Sequence, residues 1–291
     1  DQVDKLLFDE GADGDLKKML FGLWDATCVF EERRLTAGAS GFSRREMNAV
    51  LKEDGTVALE EVGEDTPAHK LVSEMMILAN ETAALFGAEN NLPLVYRSQE
   101  APDVNPQEQG LEIPAGPARD FYQRSFLKRS VTGVKPGSHY GLGLKAYIQA
   151  TSPIRRASDL INQRQISNFL VHGAPLFEPV RTTELIASLE PGLDEAIQVQ
   201  RDRNRYFLLK YLVQEDIRKL DAIVMKTDGP KPLAELDKIF MITIFYAATD
   251  MKNPEVARRR RGERIQLSID SIDPRNDQLV LREVPPDQRG G

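Results

Sequence analysis

Apolar residues recur at the three- to four-residue spacing of an amphipathic helix in several stretches of the first 220 residues. In one of them Leu71 and Met75 fall on the same side, and the preceding Thr66 and Pro67 are typical of a helix start. A longer stretch rich in charged residues predicts a further helix. The predicted helices cover residues 15–35, 67–87, 154–171 and 193–220. The first 220 residues are therefore expected to be mainly helical.

Alternating apolar and polar residues predict strands in two other places. Residues 49–62 contain Glu53-Asp54-Gly55 between apolar residues, a pattern typical of a β-hairpin. Further strand-forming runs follow Asp221, at residues 239–246, 265–272 and 279–281. Residues 98–117 are rich in Pro, Gln and Gly and predict a loop. The expected fold class is α+β, with a small β domain after a mainly helical portion.

Composition narrows the class of protein. The chain has 41% hydrophobic and 29% charged residues, which is ordinary for a soluble globular protein, and no apolar run approaches the roughly 20 residues of a membrane helix. The start, Asp1-Gln2-Val3-Asp4, has no signal-peptide features and no Met, so we expect the chain to begin partway through a longer protein. A single cysteine, Cys28, excludes an internal disulfide. The scattered His69, His139 and His172 predict no zinc site.

The distribution of charge matters more than its sum. A net charge of −7 argues mildly against a nucleic-acid-binding protein, because phosphate groups are normally bound by a basic surface. Basic residues are nevertheless clustered, at Arg124, Lys128, Arg129 and Lys135, at Arg155, Arg156 and Arg164, and at Arg258 to Arg261. A locally positive channel is therefore compatible with the acidic total.

Two common kinds of site are disfavoured by spacing. Gly137-Ser138-His139-Tyr140-Gly141 has its serine one position away from the place that a nucleophile elbow requires. Gly141 and Gly143 lack the third glycine and the preceding strand of a dinucleotide-binding loop. The sequence therefore indicates neither a serine hydrolase nor a dinucleotide-binding enzyme.

The segment Thr151-Ser152-Pro153-Ile154-Arg155-Arg156 predicts a rigid turn at the start of a helix. Proline suits a first helical position, and serine or threonine suits the cap. Two arginines beside a helix N-terminus can bind a phosphate group. A solvated helix start with no ligand is an equally good interpretation of these residues alone.

Longer motifs resemble a known family. Leu142-Gly143-Leu144-x-x-Tyr147-x-x-x-Thr151 to Arg156-x-x-Asp159-Leu160 resembles the signature of the RNB catalytic domain of the RNase II / RNase R family. Residues 69–80 resemble that domain's second diagnostic helix, and residues 1–7 resemble the segment after its metal-binding half. Residues 262–277 are similar to the last hairpin of an S1-like OB-fold. The sequences of these motifs are most similar to those of cyanobacterial and plastid members.

The resemblance implies a fold and an activity. It implies the C-terminal portion of an RNB domain at residues 1–220 and an S1-like OB-fold RNA-binding domain, a small β-barrel, at residues 221–291. The implied activity is processive 3′→5′ hydrolysis of single-stranded RNA to nucleoside 5′-monophosphates. Two Mg²⁺ ions would activate water and stabilise the leaving oxygen. No metal ligands are expected in this chain, because the family's aspartate cluster would lie upstream. Asp9, Asp13 and Asp15 are a poor substitute for it.

The resemblance also implies roles for single residues. Arg155 would contact the scissile phosphate and stabilise charge in the transition state, and Arg156 and Arg164 would bind neighbouring phosphates. Glu74 would face the terminal ribose, where an acceptor could distinguish RNA from DNA. The remaining substrate-binding candidates are Phe42, which would stack on the 3′-terminal base or else pack in the core, together with Ser152 and Tyr147.

The chain departs from the family pattern at several positions. Ala157 replaces a common tyrosine, Gln163 a frequent histidine, and Gln200 a commonly acidic residue. The run Arg258 to Arg261 favours RNA contact over a merely solvated stretch. The leading hypothesis is an exoribonuclease of a bacterial cytoplasm or a plastid. The alternatives are a catalytically degenerate RNA-binding relative and a scaffold that touches no RNA.

Overall fold

The computed structural model describes residues 2–8, 14–40, 46–62, 66–227, 231–247 and 260–285. The described helices are α1 (Gln2–Phe8), α2 (Asp15–Thr36), α3 (Pro67–Glu89), α4 (Pro117–Arg124), α5 (Ala157–His172) and α6 (Pro179–Gln214). The described strands are β1 (Glu46–Leu51), β2 (Val57–Val62), β3 (Tyr96–Ser98), β4 (Val131–Gly133), β5 (Lys219–Lys226), β6 (Leu233–Leu236), β7 (Met241–Ile244), β8 (Arg264–Asp273) and β9 (Gln278–Glu283).

The chain divides into two compact units that are interleaved in sequence. Unit 1 consists of Asp1–Gly41, Glu64–Asp103 and Leu127–Glu195. Unit 2 consists of Phe42–Gly63, Val104–Phe126 and Ala196–Gly291. The sequence-based division into residues 1–220 and 221–291 stays a prediction.

In the core of unit 1, α3 packs against residues 92–96 and 146–148. The predicted helix start is confirmed, because Thr66 caps α3 by accepting a hydrogen bond from the amide of His69, and Pro67 occupies the first turn. Gly87 allows the following segment to approach closely, since a Cβ there would stand 2.2 Å from a methyl carbon of Leu94. The resulting core is formed by Ala84, Leu92, Leu94, Tyr96, Ala146 and Ile148, which are nearly or fully buried.

Unit 2 contains an antiparallel hairpin, β1–β2, and a five-stranded antiparallel sheet in the order β7-β6-β5-β8-β9. The sheet curls until Tyr246, just after β7, forms a parallel bridge with Arg282 of β9. Its strands contribute Val224, Leu236, Leu267 and Leu281 to a buried apolar core, and α6 contributes Leu209 and Leu212. A small five-stranded barrel of this order has the arrangement of an OB-fold. The predicted fold class, a mainly helical portion followed by a small β-barrel, is confirmed.

The long helix is placed differently from the prediction of 193–220. Helix α6 begins at Pro179 and continues through Pro191, a residue type that more often marks a helix boundary. It ends at Gln214 because Asp216 adopts a left-handed conformation with φ of 46° and the amide of Ile217 bonds to the carbonyl of Leu212. Leu220 is already part of β5.

Across the described ranges, no helix is both long and apolar enough to pass through a lipid bilayer.

Candidate nucleic-acid interface

The turn before α5 is held by backbone hydrogen bonds. The carbonyl of Ser152 accepts the amides of Arg155 and Arg156, at 3.2 and 3.0 Å. Helix α5 starts only at Ala157, with Arg156 as its N-cap residue and no side-chain cap. The expectation that Ser or Thr caps the helix and Pro153 opens it is therefore wrong. The reason is that Pro153 to Arg155 form a separate turn ahead of the helix.

Asp159, in the first turn of α5, ties this turn to the helix. Its side chain is fully buried, and Oδ2 accepts the amide of Ser152 at 2.8 Å and Nη2 of Arg156 at 2.7 Å. Arg156 Nη2 also lies 3.4 Å from the hydroxyl of Thr151. Of the Arg156 side chain, 23% is exposed, so this guanidinium is largely directed inward.

Arg155 has the opposite environment. Its side chain is exposed, and it makes no side-chain hydrogen bond or ion pair with any described residue. The neighbouring Ile154 is 102% exposed, so the tip of the turn projects away from unit 1. An arginine that is fixed through its backbone and free at its guanidinium is suited to contact an anion.

Arg164 lies two turns further along α5 and is also exposed. It borders a pocket of about 130 Å³ whose other lining residues are Ser167, Asn168, Val171, His172 and Leu176. The pocket therefore combines a cation, a histidine and polar groups on the solvent side of α5. Such a surface can accept a phosphate or a similar polar anion.

The opposite side of α5 carries two further buried polar residues that sequence reasoning missed. The Asn162 side chain bonds to the amide and carbonyl of Val95 and to the carbonyl of Gln149, at 2.7, 3.3 and 2.9 Å. The Gln165 side chain bonds to the backbone of Phe177 and of Pro93. Together with Asp159 they recur every third residue. That spacing was the available signal, although a polar stripe usually indicates the solvent side of a helix.

Tyr147 precedes the turn and is half-buried. Its hydroxyl lies 3.4 Å from Nδ2 of Asn80, whose Oδ1 accepts the amide of Ala150 at 2.9 Å. Its ring makes an edge contact with His139 at 5.5 Å between centroids. Burial lowers the pKa of His139, and the nearby positive charge of Arg97 lowers it further. The imidazole is thus kept neutral beside Tyr147 at ordinary pH.

Glu74 lies in the interior, where it pairs with Arg34. Arg34 Nε donates to Glu74 Oε2 at 2.9 Å, Nη2 donates to Oε1, and Nη1 donates to the carbonyl of Leu142 at 3.1 Å. Only 6% of the Glu74 side chain is exposed. Both of its oxygens accept hydrogen bonds from Arg34. The predicted contact of Glu74 with a ribose stays a prediction.

The structure brings Tyr147, Ser152, Arg155 and Arg156 together along one continuous segment. Glu74 lies on α3 and Arg164 on α5, the two helices that flank that segment. Both helices bond to the segment at Ala150: Asn80 of α3 accepts its amide, and Gln163 of α5 donates to its carbonyl at 2.6 Å. Phe42 lies outside the described residues.

The basic run before β8 is described only from Arg260 onward. In unit 2 the guanidinium of Arg261 stands 4.3 Å from the centroid of the Tyr122 ring, and Tyr122 makes an edge contact with Phe126 at 5.2 Å. Arg258 and Arg259 lie outside the described residues. The Arg261–Tyr122 stack combines a cation with an aromatic ring, as do surfaces that bind single-stranded nucleic acids.

The described residues do not fit the expected Mg²⁺ ions. Within these ranges there is no group of three or more His, Cys, Asp or Glu side chains placed to hold a metal. A hard cation such as Mg²⁺ needs carboxylate oxygens. No metal-dependent step is therefore assigned to the residues described.

Comparison with known proteins identifies relatives. The RNB domain family matches residues 1–172. An uncharacterized ribonuclease of Synechocystis is 33% identical over 222 residues, which is 76% of this chain and 32% of that protein. The chloroplastic/mitochondrial ribonuclease II of Arabidopsis thaliana is 28% identical over 220 residues, or 75% of this chain and 26% of that protein. The chain thus spans about a third or less of the length of these curated relatives.

Solved structures agree with the sequence matches. The Dss1 exoribonuclease of Candida glabrata, an active-site mutant, superposes with a TM-score of 0.84 at 26% identity, over 97% of this chain and 38% of that one. RNase R of Mycoplasma genitalium in complex with ribose-methylated single-stranded RNA has the same fold, with a TM-score of 0.75 at 18% identity over 97% of this chain and 52% of that one. The motifs, the fold and these matches agree, and the chain belongs to the RNB-domain family of RNase II and RNase R.

Proposed function

We propose that this chain is the RNA-holding portion of a 3′→5′ exoribonuclease acting on single-stranded RNA. In each cycle water would attack the terminal phosphodiester, releasing a nucleoside 5′-monophosphate and leaving a new 3′-hydroxyl on the shortened RNA. The observation that carries the proposal is Arg155, which stands exposed and unpaired among the described residues on a backbone turn held by hydrogen bonds.

Arg155 is suited to act at the scissile phosphate. Negative charge grows on the phosphoryl oxygens as water attacks, and a preorganised cation stabilises that charge without rearranging during the reaction. The turn fixes the backbone of Arg155, while no donor of its side chain is used by the described residues. The proposed catalytic role of Arg155 is electrostatic, since an arginine remains protonated and does not act as a base.

The remaining candidates would bind RNA around this position. Arg164, with the pocket beside it, would hold a neighbouring phosphate. Ser152, whose hydroxyl has no described partner, would add a hydrogen bond at the turn. Tyr147 presents a half-buried ring and would contact a ribose or base, and Phe42 would stack on the terminal base.

The β-barrel of unit 2 would guide single-stranded RNA. OB-folds bind single strands through positive grooves with aromatic side chains for base stacking. The Arg261–Tyr122 pair places a cation next to β8 of the barrel beside an aromatic ring of α4. We assign residues 1–220 to the RNB domain and residues 221–291 to this RNA-guiding domain.

Divalent metal chemistry belongs to the same proposal. Mg²⁺ would lower the pKa of an attacking water and neutralise charge on the phosphate. Its ligands would come from residues other than those described, in line with the chain's coverage of 32% or less of the two relatives named. The proposed setting is a bacterial cytoplasm or a plastid, because those relatives come from Synechocystis and from a chloroplastic/mitochondrial enzyme.

A second function is a catalytically degenerate RNA-binding protein. One observation favours it: yeast Ssd1, a pseudonuclease, shares the fold with a TM-score of 0.59 at 16% identity. Such a protein would keep the Arg164 surface and the barrel while lacking turnover.

The test is incubation of the complete protein with a 5′-labelled single-stranded RNA, with Mg²⁺ and with EDTA. Progressive shortening from the 3′ end that requires Mg²⁺ supports the exonuclease. Intact RNA in both reactions, together with a clear gel shift, supports the degenerate binder. RNA that is neither cut nor bound rules out both functions.

A further inference from the structure

We propose that Asp159 and Arg156 form a positioning pair that holds the turn carrying Arg155, and that Arg156 does not bind a phosphate. This inference rests on the proposed function. It reassigns one of the two adjacent arginines of the motif from the substrate to the protein interior.

The first observation is the contrast between these neighbours. Arg155 is exposed and has no side-chain partner among the described residues. Arg156 keeps only 23% of its side chain exposed, and its Nη2 donates to Asp159 Oδ2 at 2.7 Å. Its Nε is buried and has no partner in the described part of the chain. The guanidinium is thus engaged through Nη2 and its Nε faces the interior, so neither of its two-pronged edges is open to a phosphate.

The second observation is the set of hydrogen bonds at Asp159. This side chain is 0% exposed, and its Oδ2 joins the amide of Ser152 to the guanidinium of Arg156. Those two residues are the first and last of the segment that contains Arg155. The carbonyl of Ser152 then accepts the amides of Arg155 and Arg156, which closes the turn on itself. One carboxylate thus fixes both ends of the turn.

The third observation is that hydrogen bonds from Asn162 attach α5 to the neighbouring backbone segments. Asn162 is buried one turn after Asp159 and bonds to the backbone of Val95 and Gln149. Because Asp159 and Asn162 share one helix, the turn is held in register with the strand segment next to it. A cation held on such a frame is already oriented before the substrate arrives, and misplacement by about 1 Å can cost about 100-fold in rate.

The experiment compares variants of the complete protein by steady-state kinetics and by hydrogen exchange at the Ser152 amide. Asp159→Ala removes both bonds, Asp159→Asn keeps an acceptor for Ser152 without the charge, and Arg156→Lys keeps a cation for Asp159. Gln165→Ala is the matched control, since Gln165 is equally buried on α5 but bonds to Phe177, Pro93 and Thr182 rather than to the turn.

We expect Asp159→Ala and Arg156→Ala each to lower kcat by about 10- to 100-fold, with RNA affinity unchanged within about threefold. The double variant should lose no more than the worse single variant, because the two side chains act as one unit. Arg156→Lys should recover most of the loss, and Asp159→Asn should fall between Asp159→Ala and wild type. Gln165→Ala should lose stability but keep its kcat.

Exchange at Ser152 separates failure of the pair from failure of the proposed function. If the wild-type protein degrades no RNA, about tenfold faster exchange in Asp159→Ala with no change in Gln165→Ala still supports the pair. Unchanged exchange in Asp159→Ala overturns it. So does weaker RNA affinity with a reduced salt dependence in Arg156→Ala, because that is the behaviour of a phosphate ligand.

Discussion

The guanidinium of Arg34 and the carboxylate of Glu74 form a two-pronged ion pair that joins α2 to α3 inside unit 1. The two side chains are 10% and 6% exposed, respectively. Arg34 also donates to the carbonyl of Leu142, just ahead of Gly143. A Cβ at Gly143 would stand 2.4 Å from the Arg34 carbonyl, so helix and turn are in direct contact. The ion pair therefore holds the segment that leads towards Tyr147.

Removing one partner of this pair should lower the free energy of unfolding much more than replacing both partners. Arg34→Ala leaves the Glu74 carboxylate buried without its cation, and the free energy of unfolding should fall by about 3–5 kcal/mol. The double variant Arg34→Met, Glu74→Leu replaces the pair with apolar side chains and should recover most of that loss. Denaturant unfolding measures both variants. Equal losses in the single and double variants would show that the charge interaction is not what holds these helices.

Arg155→Ala should cut turnover with little effect on RNA affinity. Its proposed contact strengthens as charge develops on the phosphate, so kcat should fall by about 100- to 1,000-fold while Kd changes by a few-fold. Arg181→Ala is the control, because Arg181 is another exposed arginine and pairs with Glu184 on the surface of α6. Single-turnover and binding measurements on the complete protein separate the two effects. Weaker binding at unchanged turnover would remove Arg155 from the reaction.

Arg164→Ala should show the reverse pattern. A phosphate contact outside the reaction centre contributes equally to the bound substrate and the transition state, so affinity should fall while kcat at saturating RNA stays near wild type. The slope of log affinity against log salt should decrease by about one unit. Titrations at several salt concentrations provide the measurement. An unchanged slope would mean that the pocket beside Arg164 does not hold an RNA phosphate.

His139 should make the stability of unit 1 depend on pH. Its ordinary pKa of 6.5 is lowered in the folded protein, chiefly by burial and further by the charge of Arg97. The unfolded state therefore binds the proton more readily, and the contribution of His139 is complete above pH 6.5 and is lost as pH falls through the folded pKa.

The variant His139→Phe keeps an aromatic ring against Tyr147 but cannot titrate. We expect wild type to lose more stability than this variant between about pH 7 and pH 5. Thermal unfolding across that range is the measurement. Parallel curves for the two proteins would show that His139 does not contribute to the pH dependence.

Some element boundaries follow from the local sequence and others do not. The start of α3 at Pro67 was predictable because the Thr66 cap and the proline act within one turn of chain. The limits of α6 were not, because Pro191 lies inside the helix and Asp216 ends it through a left-handed conformation that no local rule requires. Strands β5 and β6 also went unpredicted, since β5 is central in the sheet and its residues Ala222 to Met225 are buried on both faces.

At the candidate site the residue types were predictable and their surroundings were not. Thr151 to Arg156 stood out as a possible anion site, and the motif drew attention to Asp159. The resemblance implies different contacts for Arg155 and Arg156, but local sequence does not decide which of the two side chains is exposed and which is turned inward. The pairing of Glu74 with Arg34 could not be predicted either, because the two residues are 40 positions apart in the sequence.

By itself, the sequence determined the helical and β character of the two portions, the family, and the segment in which the candidate site lies. These follow from periodicities and motifs that are local, so neighbouring residues are enough to specify them. Only the tertiary structure decided which arginine faces solvent and which is bound by Asp159, and that Glu74 is paired. The Arg34–Glu74 pair joins groups distant in sequence, and Asp159 pairs with its neighbour Arg156 because tertiary packing buries that carboxylate, where an uncompensated charge is too costly to remain.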